Sequence, residues 1–399
     1  MSGYHLQCRV CEEIAVDAPV DACSRCDGPT DVAYDWAHVE QQLTHTLIEE
    51  RPQSVWRYRE LLPTEATVDV GAGRTRLVPC EPLSDLLEVD LLLKLESENP
   101  TRSYKDRVAT LAASAAIDHG VTTLCCSSTG NLGDAVAAAA AATGLEAIVL
   151  VPEGSASAAV EAEHRGVHVL AVRGSYDDCR RLELELGTLF PWGFVSGNLH
   201  PYAGEGAKTI SFEIAEQLRW QLPDAVVCPA ASGTLFAKLT QGFAELTRAG
   251  LASEPLPQMF AAQALGSSPI AAAFADDRSI SRVRAQTHVA SLAVGDPSYG
   301  DLALGAARAT GGAVLALPED EIRMYAALLT EMTGVAPDAS GGAALGALIA
   351  ARRSGMIEAG ARVVLVVTGR RPGSVVEGPH VRTIDPDPAD VLVALGLDS

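Results

Sequence analysis

Residues 89–120 read VDLLLKLESENPTRSYKDRVATLAASAAIDHG and set the pattern for most of the chain. An apolar run of strand length, Val89–Leu95, is followed by a polar turn. An Ala-rich segment of helical length, Tyr104–Ile117, then stops before Gly120. A continuous apolar run reads as a strand covered on both faces, and a glycine just past a periodic segment ends a helix. The alternation recurs. Strands are expected at Thr123–Cys126, Ala147–Val151, His168–Val172, Ala225–Cys228, Met259–Ala264 and Arg362–Val367. Helices are expected at Leu132–Ala142, before Gly144, and at Leu235–Arg248, before Gly250. Repeated β-α units fold as parallel sheets with helices on their faces. Pro269–Asp301, rich in Ser, Ala and Asp, lacks this pattern and is expected to be irregular.

With 399 residues, 48% of them hydrophobic, the chain can build more than one buried core. A net charge of -21, from 51 acidic and 30 basic residues, disfavours nucleic acid and anionic lipid as partners and leaves a small molecule as the expected ligand. The start, MSGYHLQCRVCEE, shows no basic region followed by an apolar stretch. The longest apolar run, Ala135–Ala142, is too short to span a bilayer, so a cytoplasmic protein is expected.

Cys8-Arg-Val-Cys11 and Cys23-Ser-Arg-Cys26 are separated by eleven residues in a short polar segment. Two such pairs supply four thiolates to one tetrahedral zinc and leave no open position, so the expected metal is structural. A redox CxxC would instead be expected at a helix start within a β-α-β unit.

Three junctions carry candidate chemistry. Lys105 follows a strand and opens a helix that Ser103 can cap, with Asp106 three residues on. The positive end of that helix, with Arg102 and Arg107, favours the neutral amine that attacks an aldehyde. On this motif alone a solvated lysine reads equally well. Ser127-Ser-Thr-Gly-Asn131 and Ala230-Ala-Ser-Gly-Thr234 each join a strand to a helix, where hydroxyls and free N–H groups cradle anions. Two anion sites and an activated lysine suit a phosphorylated aldehyde cofactor that meets an amino-acid carboxylate.

These motifs carry a resemblance. Asn99–Arg107 resembles the NPTGSFKDR motif of the threonine synthase family, Ser128-Thr-Gly-Asn131 its STGN loop, and Thr368-Gly369 its C-terminal TG turn. Weaker similarities are Ser54–Pro63, Arg173–Asp177 and Glu205–Thr209. The resemblance implies a fold-type II pyridoxal 5′-phosphate (PLP) enzyme, tryptophan synthase β-like, with two parallel or mixed-sheet α/β domains and an N-terminal zinc ribbon. The ribbon is expected at 1–35, a large PLP-binding domain at 36–110 with 211–399, and a smaller domain at 111–210. Lys105 would be the Schiff-base lysine and move protons. Asn131 would bond the cofactor's 3-hydroxyl, and Ser232, Gly233 and Thr234 would hold its phosphate. Thr368 would face the pyridine nitrogen, while Ser128, Thr129 and Arg102 would meet the substrate.

The implied activity is that of a homodimeric lyase or replacement enzyme acting on an activated, O-phosphorylated amino acid. β-Replacement on O-phosphoserine is the nearest alternative, and a silent zinc-ribbon interaction protein is a distant one. Three positions depart from the family. Arg102 stands where the family has Gly, Ala203 where it has a phosphate-binding Arg, and Arg370-Arg371 follow the TG turn.

Overall fold

The computed structural model describes residues 3–15, 19–20, 22–154, 166–370 and 381–397, so Arg371 lies outside the described residues. Strands in chain order are β1 (Tyr4–Cys8), β2 (Thr30–Tyr34), β3 (Leu77–Pro79), β4 (Asp90–Leu95), β5 (Thr123–Ser127), β6 (Glu146–Pro152) and β7 (Val167–Val172). They continue as β8 (Gly193–Phe194), β9 (Ala225–Pro229), β10 (Gln258–Ala264), β11 (Ala313–Leu317), β12 (Arg362–Val367) and β13 (Arg382–Ile384). The helices are α1 (Trp36–Gln42), α2 (His45–Glu50), α3 (Glu81–Leu87), α4 (Lys105–Asp118), α5 (Asn131–Thr143), α6 (Tyr176–Leu189) and α7 (His200–Gln217). Then come α8 (Thr234–Arg248), α9 (Pro269–Ala275), α10 (Gly300–Ala309), α11 (Glu319–Thr333), α12 (Ala339–Arg353) and α13 (Pro388–Leu395). Every strand and helix expected from sequence is present, with ends within one residue.

The chain divides into two compact units. The first holds residues 1–73, 105–207 and 372–399, and the second holds 74–104 and 208–371. Residues 36–73, grouped from sequence with the large domain, fall in the first unit.

In the first unit a parallel sheet runs β13-β7-β6-β5-β8. Its core joins Cys125, Ile148, Leu150, Leu170 and Val172 to Leu182 and Leu186 of α6. Helix α6 begins at a capping box in which Ser175 and Asp178 satisfy each other's backbone N–H groups. β1 and β2 form a separate antiparallel pair, in register from Tyr4 opposite Tyr34 to Cys8 opposite Thr30.

The second unit contains a six-stranded sheet ordered β11-β10-β9-β12-β4-β3, parallel except that β3 runs antiparallel to β4. Val363–Val367 are all buried, as a central parallel strand requires. The small side chains of α12 let it approach α11 closely: a Cβ on Gly342 would stand 2.3 Å from the Ile322 carbonyl oxygen. The segment expected to be irregular is partly helical. Pro269 starts α9, a position where its missing N–H costs nothing, and Ile270–Ala273 carry the helix into the core. No helix among the described residues is long and apolar enough to cross a membrane.

Candidate active site and cysteine cluster

Lys105 is the first residue of α4 and is half-buried, whereas the next residues, Asp106–Ala116, are buried. Helix α4 packs beside α5, which starts at Asn131. Between β5 and α5 the loop closes on Ser128. Its hydroxyl donates to the Gly130 carbonyl at 2.9 Å and accepts from the N–H groups of Gly130 at 3.0 Å and Gly133 at 2.8 Å. Gly130 takes φ 148°, a conformation that side chains rarely adopt. Thr129 and Asn131 are left half-buried on the loop, while Ser128 is buried beneath it.

A carboxylate anchors the same loop from below. Glu183 of α6 accepts the Ser127 N–H at 2.9 Å and, at shorter range, the Ser127 hydroxyl, and it pairs with Arg180 at 2.8 Å. Burial pushes the Cys126 thiol well above its ordinary range, the Glu183 charge adds to the rise, and the Lys105 charge opposes it.

In the second unit the loop after β9 ends at Gly233, with φ 85°, and a Cβ there would lie 2.7 Å from the Tyr299 carbonyl oxygen. The Ser232 and Thr234 hydroxyls are 3.0 Å apart at the start of α8, a 15-residue helix. Unpaired N–H groups and the helix dipole at such an end suit a phosphate. Thr368 follows β12, is buried, and places its hydroxyl 3.1 Å from that of Ser340, which donates to Asp338 at 2.6 Å. These features fit a phosphorylated heteroaromatic cofactor: a helix end with two hydroxyls for the phosphate, a glycine where no side chain fits, and a buried hydroxyl for a ring nitrogen. Sequence reasoning missed Glu183, Asp338 and Ser340, which lack a local motif.

Asn99, first in the lysine motif, is structural: buried, it donates to the Glu96 carbonyl at 2.9 Å and to the Glu96 carboxylate at 2.8 Å. Arg102 is exposed and adopts φ 66°. Ala203, at the position of the expected phosphate-binding arginine, is buried in α7.

Cys8, Cys11, Cys23 and Cys26 bring their sulfurs within 4.8 Å of one another, a cluster that can hold a metal ion. The Cys8–Cys26, Cys11–Cys23 and Cys26–Cys11 separations are 3.5, 3.7 and 3.4 Å. A thiolate tetrahedron with metal–sulfur bonds of roughly 2.3 Å has edges of about 3.8 Å, so the donor set suits such an ion. The Val10 and Arg25 N–H groups each donate to a cysteine sulfur at 3.4 Å, which stabilises thiolate charge.

A family model described as pyridoxal-phosphate dependent enzyme matches residues 68–369. The chain is similar to threonine synthase of Methanosarcina acetivorans, at 32% identity over 94% of each chain. It is also similar to threonine synthase of Methanocaldococcus jannaschii, at 31% identity over 89% of each. Among solved structures it is similar to diaminopropionate ammonia lyase from Escherichia coli, with a TM-score of 0.65, 22% identity, and 78% of this chain and 90% of that one covered. Maize serine racemase matches with a TM-score of 0.64, 21% identity, and coverage of 76% and 89%. At these identities the solved structures speak for the fold.

Proposed function

The chain belongs to the pyridoxal-phosphate dependent enzymes as a threonine synthase-like lyase acting on an amino acid, and from that premise we propose that Lys105 is its Schiff-base lysine. One observation carries the assignment. The chain has four lysines, Lys94, Lys105, Lys208 and Lys238. Lys94 and Lys208 are fully buried and paired with Glu213 at 2.7 Å and Glu245 at 2.6 Å. Lys238, also fully buried, donates to Gln241 at 3.0 Å and lies 5.7 Å from the Tyr299 ring. Imine formation needs an amine that the cofactor's aldehyde can reach, which a fully buried lysine does not offer. Lys105 alone of the four is half-buried rather than fully buried, at the start of a helix.

PLP, when bound, supplies the electron sink that makes a Cα proton removable. In this reading the Ser232–Thr234 turn and the start of α8 hold its phosphate, Thr368 meets the ring nitrogen, and Asn131 meets the ring hydroxyl. Thr129 and the loop N–H groups bind the substrate carboxylate. The Ser128 hydroxyl, already committed to Gly130 and Gly133, contributes by shaping the loop. The Lys105 amine takes the Cα proton and returns one at the end of the cycle.

The substrate in this reading carries a phosphate leaving group. Losing one charge-assisted partner of a phosphate costs about 1.5–3 kcal/mol. With Ala203 in place of the family's arginine, O-phosphohomoserine is therefore expected to be a poorer substrate than some other activated amino acid, unless Arg102 or Arg370 supplies the missing charge. A structural zinc in the cysteine cluster, a homodimer and a cytoplasmic setting belong to the same proposal.

Borohydride reduction followed by peptide mass analysis tests the lysine. The cofactor is expected on the peptide containing Lys105, and Lys105→Ala is expected to abolish both the adduct and turnover. An adduct on Lys94, Lys208 or Lys238 of the unmodified protein would reject the assignment. Phosphate release across a panel of phosphoamino acids tests the substrate, and efficient conversion of O-phosphohomoserine would restore the plain threonine synthase reading.

A further inference from the structure

Ser103 and Gly369 form an isolated antiparallel bridge, flanked by two hydrogen bonds. The Tyr104 N–H donates to the Thr368 carbonyl at 3.0 Å, and the Arg370 N–H donates to the Arg102 carbonyl at 3.0 Å. This register sets Arg102 opposite Arg370, with Thr368 two residues from one arginine and Lys105 three residues from the other. Three local features of the pair are unfavourable. Arg102 has φ 66°, in the left-handed region that is strained for a residue with a side chain. Like charges opposite one another on paired strands repel. Both side chains are exposed, and neither guanidinium has a hydrogen bond or ion pair with a described residue, although the chain holds 51 acidic residues. Glu88 and Asp277, also at positive φ, lie just past the ends of helices, where that conformation ends the helix; Arg102, like Glu12, Asp27 and Arg74, does not. Strain, repulsion and missing counter-ions at one place mark a site whose charge is balanced by a ligand.

We infer that Arg102 and Arg370 form an oxyanion-binding pair that takes the phosphate leaving group of the amino-acid substrate, in place of the arginine absent at Ala203. The inference rests on the proposed function and specifies its substrate-recognition element. Two guanidinium forks on adjacent backbones match a dianionic phosphate, which accepts from both, better than a neutral ester.

The test uses PLP-loaded protein, so that the cofactor's phosphate site is filled. Inorganic phosphate is titrated by calorimetry into the unmodified protein, Arg102→Gly and Arg370→Ala. Phosphate affinity is expected to fall at least roughly tenfold in each variant, the loss of one charge-assisted partner. PLP content is expected to be unchanged, and the Tm of Arg102→Gly no lower than that of the parent, because glycine accepts the left-handed backbone. In kinetics, KM for O-phospho-L-serine is expected to rise at least tenfold more than KM for O-acetyl-L-serine.

Equal phosphate affinity in all three proteins overturns the pair. Equal KM losses with the two amino acids overturn its assignment to the leaving group. A clear Tm loss in Arg102→Gly overturns the strain argument. If phosphate binding depends on both arginines but no phosphoamino acid is turned over, the pair stands and the proposed reaction falls.

Discussion

One carboxylate bears much of the load at the loop that leads into α5. Glu183 accepts from both the backbone and the side chain of Ser127 while pairing with Arg180. Removing it strands a buried N–H and a hydroxyl and deprives the partly exposed Arg180 guanidinium of its carboxylate, leaving it the Ser196 carbonyl at 3.2 Å. Glu183→Ala is therefore expected to lower unfolding stability by about 2–3 kcal/mol, as read by urea denaturation. Glu183→Gln keeps an acceptor and is expected to cost less. A neutral result for Glu183→Ala would mean that the loop is held by Ser128 alone. Ser128 could be read from the sequence because its partners lie two and five residues away. Glu183 could not, since it stands 56 residues from Ser127 and has no motif of its own.

Between elements, the contact of α7 with α4 leaves no space at Gly206. A Cβ there would lie 2.2 Å from the Arg107 carbonyl oxygen, and backbone cannot swing aside as a side-chain tip can. Gly206→Ala is expected to destabilise the protein by about 1–3 kcal/mol in thermal melts. Because Arg107 is two residues past Lys105, the strain reaches the first turn of α4. The variant is expected to show slower turnover at temperatures where it remains folded. Unchanged stability would show that the two helices separate freely. Helix α4 was legible from its Ala-rich run and closing glycine. The glycine in Glu205-Gly-Ala-Lys was visible as a motif residue, but the reason for it, a backbone pressed against another backbone, is a tertiary fact.

At the scale of the whole molecule, the cysteine segment is built into the first unit. The Tyr34 hydroxyl at the end of β2 lies 2.7 Å from the Leu61 carbonyl and 2.6 Å from the Glu205 carboxylate, and the ring of Tyr4 meets that of Tyr202 edge-on at 6.5 Å. In the proposed reading about one zinc per chain occupies the four-thiolate cluster. Chelation, or Cys8→Ser, is expected to lower Tm and expose the N-terminal segment to proteolysis. PLP is expected to stay bound, since its proposed phosphate and ring-nitrogen contacts, the start of α8 and Thr368, belong to the other unit, and Lys105 and Asn131, although in the same unit, lie outside the cysteine segment. Metal analysis with proteolysis and cofactor absorbance checks each part, and metal-free protein of undiminished Tm would remove the structural role.

The sequence by itself determined what is local. Strand and helix identities, the two loops before α5 and α8, and the place of Lys105 at a helix start each depend on side chains within a few residues of one another. Periodicity and turn chemistry act over that range. Tertiary structure alone decided how the strands divide between a five-stranded and a six-stranded sheet. It also brought in the short strands β3, β8 and β13, which are too brief to show a period. Likewise it paired Lys94 with Glu213 across 119 residues, Thr368 with Ser340 across 28, and Arg102 with Arg370 through a bridge. Such partners become neighbours only once the chain has closed long loops and buried its cores. The free energy that selects them is that of the whole packed unit, which no short window of sequence contains.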